Sequence, residues 1–186
     1  LVTSGSGTAQ LSVTVVENDF VAGVYEKLAS VYDLAFGPTL QPGRIRALEQ
    51  MDIQPGERVL EVGVGTGINL SLYPQACRIT GIDFSSSMLE KARERVARGG
   101  LNHMRLLQMD AADLKFADDS FDIAVAAYVV TAVPDYRAVM NEMVRVVRPG
   151  GRILLLNHFV NGSPLLAACE RAVSPLCIHL GFRTDL

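Results

Sequence analysis

The chain has 186 residues, is 49% hydrophobic, and carries 17 Lys and Arg against 20 Asp and Glu, for a formal net charge of -3. That composition supplies one domain with a sizeable core and gives no general attraction to nucleic acid or other polyanions. Cys77, Cys169 and Cys177 form no metal-spaced pair, which fits a reducing compartment and no bound metal. The longest apolar run, Ile123 to Val133, is shorter than the roughly 20 residues a membrane-spanning helix needs.

In chain order, residues 1–18 (opening LVTSGSGTAQLS) read as a disordered leader and residues 19–186 as a single domain. Phe20, Val21, Val24, Tyr25, Leu28, Val31, Tyr32 and Phe36 fall on one side of a helix, opposite Glu26, Lys27, Ser30 and Asp33. From Arg58 onward, short Val/Ile/Leu-rich runs alternate with amphipathic stretches, the pattern of repeated βαβ units. Strands are expected near residues 58–62, 78–82, 104–108, 121–127 and 152–157. Ser87-Met-Leu-Glu90 has capping-box spacing and precedes a helix whose inner face is Met88, Leu89, Ala92 and Val96. Pro134 and Asp135 open another, with Val139, Met143, Val144 and Val147 at helical spacing, until Arg148-Pro-Gly-Gly151 stops it. The predicted fold is α/β: a mostly parallel sheet with helices on both faces, preceded by an N-terminal amphipathic helix.

Gly63, Gly65 and Gly67 directly follow the first strand, the end of an open parallel sheet at which ligands bind. Glycine there lets the chain turn with positive φ and lets a ligand lie on bare peptide groups. The G-x-G-x-G spacing departs from the G-x-G-x-x-G of dinucleotide sites and argues against NAD or FAD. Asp83, at the end of the second strand, suits both hydroxyls of a ribose, and Glu61 repels a phosphate but suits a positively charged ligand. A nucleoside without a pyrophosphate is implied.

Together with Gly81-Ile-Asp83-Phe-Ser, Met109-Asp110-Ala111, Phe121-Asp122 and Arg148-Pro-Gly-Gly151, the segment Glu61-Val-Gly-Val-Gly-Thr-Gly67 resembles the class I S-adenosylmethionine-dependent methyltransferases. The likeness covers about residues 55–160 and implies their Rossmann-like fold. It implies that Glu61, Gly63, Gly65 and Gly67 line the methionine part of the cofactor, that Asp83 holds the ribose, and that Phe84, Met88, Asp110 and Ala111 surround the adenine. Taken alone, Asp110 also suits a plain loop carboxylate, and Phe84 and Met88 also suit a core.

Tyr25-Glu-Lys-Leu-Ala-Ser-Val-Tyr32-Asp-Leu-Ala-Phe-Gly37-Pro, Ala127-Tyr-Val-Val-Thr-Ala-Val-Pro-Asp135 and Asn157-His158-Phe are similar to segments of the soluble bacterial phosphatidylethanolamine N-methyltransferases. That resemblance implies successive methylation of the lipid amine to phosphatidylcholine, with S-adenosylhomocysteine as by-product. Independently, the N-terminal amphipathic helix suits capping the cofactor and dipping its apolar face into a bilayer, which gives a cytoplasmic protein held peripherally at the inner face of the membrane; a helix buried on the domain has the same stripe. Tyr25 is expected to reach the cofactor, and Tyr25, Tyr32 and Tyr128 to form an aromatic cluster around a cationic headgroup. Tyr32, Tyr128 and His158 are the expected catalytic and substrate-binding residues. His158 bonds the lipid phosphate or relays the proton, and Arg183 adds a two-bond grip on the phosphate.

Two readings compete with this one. Quinone-pathway C-methyltransferases share several of these motifs but usually carry an Arg-Asn pair after the fourth strand, where this chain has Val129-Val-Thr131-Ala. The other is a cofactor-binding membrane-surface protein without turnover. This architecture commonly adds a sixth and a seventh strand, so either this chain is a fragment or those strands are absent.

Overall fold

In the computed structural model of the protein, residues 41–130 and 132–157 are described. Strand β1 (Arg58–Val62) shows why the sheet needs cover on both faces. Val59 is buried with Leu48, Ile79, Leu89 and Ile123, whereas Leu60 and Val62 are buried with Ile82, Ala124, Val139 and Met143. Successive side chains of a strand point to opposite faces, so a strand buried on both faces demands two layers of packing.

The remaining strands are β2 (Arg78–Asp83), β3 (Met104–Gln108), β4 (Phe121–Ala127) and β5 (Val147–Leu156). All pairings are parallel, in the order β3-β2-β1-β4-β5. The chain leaves β1 toward β2 on one side and returns to β4 on the other. Strand order therefore reverses at the carboxyl ends of β1 and β4, where a crevice opens. The α/β reading and the five strand positions hold, with one difference. β5 begins at Val147, and its register against β4 slips between the Phe121–Val147 and Ile123–Arg152 pairs. Arg148-Pro-Gly-Gly151 thus ends the preceding helix as expected but forms an irregular strand entry. A side-chain carbon at Gly151 would stand 2.7 Å from the Asp122 carbonyl oxygen, so this close approach requires glycine.

Helix α1 covers residues 41–50, α2 spans Ser86–Gly99 and α3 spans Tyr136–Val146. The cap of α2 is Ser85, whose hydroxyl accepts from Met88 N–H at 3.3 Å, and not Ser87, which lies inside the helix. In α3 the Asp135 carboxylate accepts from Ala138 N–H at 3.0 Å, and Val139, Met143 and Val146 face the sheet. Val144, expected on that face, is 60% exposed, because it lies five residues after Val139 and so well round the helix from the 139–143–146 stripe. Cys77 is buried. The N-terminal amphipathic helix, the leader, Cys169 and Cys177 lie outside the described residues, and no helix among the described residues is long and apolar enough to cross a membrane.

The amino-terminal edge of the sheet is tied by charge. Asp122 accepts from the Arg58 backbone N–H at 2.8 Å, from its guanidinium at 3.1 Å, and from Arg148 Nε at 2.7 Å. The Arg58 hydrogen bonds lead in holding this carboxyl well below the usual carboxylate range. A carboxyl depressed on folding adds stability that is complete above its unfolded value and is lost as the pH falls through the folded one. Arg58 is 43% exposed on its side chain, so water relieves part of any loss. Asp122→Asn should therefore lower unfolding free energy by about 1–2 kcal/mol at neutral pH. In urea titrations the gap from the parent should narrow steadily once the pH drops below about 4.

Candidate active site

The crevice at the strand ends holds a cavity of about 270 Å³. Its walls come from the loop after β1 (Gly63, Gly65, Asn69), the end of β2 and start of α2 (Asp83, Phe84, Met88), the loop after β3 (Met109, Asp110, Ala111), the segment after β4 (Tyr128, Val129, Asp135), and Arg44 of α1. Of the expected site residues, Gly63, Gly65, Asp83, Phe84, Met88, Asp110, Ala111 and Tyr128 thus converge on one cavity. Gly67 does another job: a side-chain carbon there would meet Leu70 at 2.8 Å and Ala92 at 3.2 Å, so it lets the loop pack on α2. Glu61 lies beneath the loop. Tyr25, Tyr32, His158 and Arg183 lie outside the described residues.

The loop is bare where it faces the cavity. Gly65 has φ +56, and a side-chain carbon placed on it would meet nothing within 4 Å. Its N–H donates to Asp83 Oδ2 at 2.7 Å, while Ser85 N–H donates to Asp83 Oδ1 at 2.9 Å. Asp83 is thereby fixed across the mouth of β1 with one further lone pair on each oxygen. Burial raises its pKa, and these backbone donors partly offset the rise. Beside it, Met109 N–H donates to the Asp83 carbonyl at 3.0 Å and Asp110 Oδ1 accepts from Ala112 N–H at 2.8 Å. Asp110 is therefore a loop-shaping carboxylate as well as a wall residue. Met88 is buried at 6% exposure, whereas Phe84 stays 40% exposed at the rim and offers a flat apolar face.

At the other end the chemistry is ionic. Glu61 is 1% exposed and accepts one hydrogen bond, from Asn69 Nδ2 at 2.7 Å, leaving Oε2 without a partner. The Tyr73 hydroxyl acts on the same carboxyl without reaching hydrogen-bond geometry. Burial pushes the Glu61 pKa up to about 7, against the pull of Asn69, Tyr73 and Arg44. Tyr128 follows β4 with φ +62, a strained conformation for a non-glycine residue, and its N–H donates to the Leu156 carbonyl at 2.6 Å. The Arg44 guanidinium lies over its ring at 5.0 Å, so one aromatic face already carries a cation.

Arg44 and Asn69 are wall residues that the motifs do not point to. Both left a trace in the sequence. Arg44, Leu48 and Met51 are buried at i, i+4, i+7, so an arginine occupies an apolar stripe. Asn69 follows Glu61 by eight residues, across the glycine turn that brings them together.

Because Glu61 holds its proton to higher pH in the folded protein, its contribution to stability is complete below about 4.5 and is lost as the pH rises through about 7. A ligand with positive charge prefers the ionised form. Affinity for S-adenosylmethionine, measured calorimetrically, should rise up to about tenfold between about pH 6 and pH 8. Glu61→Gln should flatten that component, the ligand's own amine titrating alike in both proteins. Identical profiles would remove Glu61 from the site.

A methyltransferase-domain family model matches residues 60–155, just over half of the chain. The chain is 43% identical over 171 residues to phosphatidylethanolamine N-methyltransferase of Cereibacter sphaeroides, covering 91% of this chain and 83% of that protein. It is 35% identical over 145 residues to demethylmenaquinone methyltransferase of Bacillus velezensis, covering 73% of this chain and 62% of that one. Among solved structures, phosphoethanolamine N-methyltransferase 2 of Haemonchus contortus in complex with S-adenosyl-L-methionine superposes with a TM-score of 0.73. That match covers 93% of this chain and 42% of that one at 22% identity, a likeness of fold. Fold, motif loop and relatives agree: the chain belongs to the S-adenosylmethionine-dependent methyltransferases.

Proposed function

We propose that the protein transfers methyl groups to the amine of phosphatidylethanolamine and its partly methylated derivatives. The observation that carries this reading is the 43% identity to a phosphatidylethanolamine N-methyltransferase over most of both chains. The quinone-pathway relatives match more weakly and over less of their length. Moreover, the segment after β4 has no Arg-Asn pair; Val129 is buried there, 2.4 Å from where a side-chain carbon on Gly63 would stand.

The cavity suits the cofactor on its own evidence: open space over Gly65, a fixed carboxylate at Asp83, and unpartnered buried polar atoms on the wall residues Asn69 and Arg44. In this reading Asp83 holds the ribose, Phe84 and Met88 flank the adenine beside Asp110 and Ala111, and Gly63 and Gly65 lie along the amino-acid end. When bound, the cofactor supplies an electrophilic methyl group. The acceptor amine must arrive with its lone pair free, so the protein's task is to desolvate it, aim it and take up its proton. The apolar wall of Val129, Ala132, Val133 and Pro134 excludes water and disfavours the charged amine. Tyr128 stands at this wall with its hydroxyl as the contact for the nitrogen. Tyr32, His158 and Arg183 are proposed to complete the headgroup site and Tyr25 the cofactor site, with the N-terminal helix meeting the membrane surface through its apolar face.

Incubation with methyl-labelled cofactor and vesicles containing both phosphatidylethanolamine and a demethylated quinone should put label in the aminophospholipid. Label in the quinone alone would overturn the substrate assignment, and binding without any label would overturn catalysis. Asp83→Asn should weaken calorimetric binding of S-adenosylhomocysteine by about 10- to 100-fold. Unchanged affinity there would overturn the ribose assignment whatever the acceptor.

A further inference from the structure

Arg44 is the unexplained charge of the cavity. It is 7% exposed, lines the wall, and its Nε and Nη1 are buried with no hydrogen-bond partner among the described residues. A guanidinium carries five donors, and burying them unpaired is costly. The Tyr128 ring supplies attraction but accepts no in-plane hydrogen bond. The nearby Glu61 carboxyl acts on Arg44 through space, yet the two do not pair: Glu61 Oε2 is also buried without a partner, as is Asn69 Oδ1. The part of the cavity wall formed by Arg44 and Asn69 therefore carries unused donors on one and an unused acceptor on the other, with the unpartnered Glu61 Oε2 buried behind Asn69.

A ligand group that satisfies both sets bears an anion and an ammonium a few atoms apart. An α-amino acid has that arrangement, and the cofactor carries one at its end away from the adenine. We propose that Arg44 binds the carboxylate of the cofactor's amino-acid group, with Glu61 and Asn69 receiving its ammonium. An oxyanion is the shared requirement, and the phosphate of a lipid headgroup is the other possible source. The position of Arg44 in the wall shared with the glycine loop, near enough to Glu61 to act on its carboxyl, favours the carboxylate. The inference rests on cofactor use and not on which acceptor is methylated.

The test is calorimetry with S-adenosylhomocysteine and with its decarboxylated analogue, which keeps the amine. The parent protein should bind the carboxylate-bearing ligand about 10- to 100-fold more tightly. Equal affinity of the parent for the two ligands would overturn the proposal without any variant. In Arg44→Gln the preference should vanish through loss of affinity for S-adenosylhomocysteine alone, and Arg44→Lys should retain part of it. With no ligand, the melting temperature of Arg44→Gln should match or exceed the parent's, since an unpaired buried charge is removed, while the stabilisation by S-adenosylhomocysteine shrinks. If the preference survives in Arg44→Gln and only the half-saturating phosphatidylethanolamine concentration rises, the oxyanion is the lipid's phosphate and the assignment to the cofactor is wrong.

Discussion

The 2.7 Å hydrogen bond from Gly65 N–H to the Asp83 carboxylate couples the two strand ends on which the site depends. It fixes a turn without side chains at the mouth of β1 and aims a carboxylate from β2 across it. Neither half works alone. With a side chain at Gly65 the open space over the peptide would fill, and without the N–H the buried Asp83 would lose one of the donors that offset its desolvation. The sheet order supplies the rest of the constraint. Because β4 returns on the opposite side of β1, nothing of the sheet crosses above this bond, and the cavity forms there.

Much of this was legible in the sequence because two periodicities dominate it. Short Val/Ile/Leu-rich runs alternating with amphipathic stretches located β1 through β4 closely. β5 was legible from Arg152 onward but not at Val147, because the register slip admits residues whose identities resemble a helix stop. The spacing of Ser87 to Glu90 points to Ser87 as the α2 cap. Ser85 holds the position because the capping hydroxyl must reach Met88 N–H, three residues on. In the site, glycines and acids stood out because each needs a special environment, whereas Arg44 did not. A cation among apolar residues on a helix shows its meaning only when its lack of a partner is seen.

Charge is divided along the cavity. The end beside β2 pairs a fixed acid, Asp83, with the apolar surfaces of Phe84 and Met88. The opposite end has an arginine stacked on the strained Tyr128, and behind its wall lies Glu61, poised near neutrality by burial. Of the expected aromatic cluster of Tyr25, Tyr32 and Tyr128, only Tyr128 lies within the described residues. One face of Tyr128 already carries the protein's own cation, Arg44.

The central claim is that the cofactor lies on the bare turn, with its sugar on Asp83. A crystal structure of the protein grown with S-adenosylhomocysteine tests it most directly. The account predicts both ribose hydroxyls within hydrogen-bond distance of the Asp83 carboxylate and ligand atoms in van der Waals contact with the Gly65 peptide. A ligand bound elsewhere, or Asp83 facing only the protein's own backbone, would contradict it.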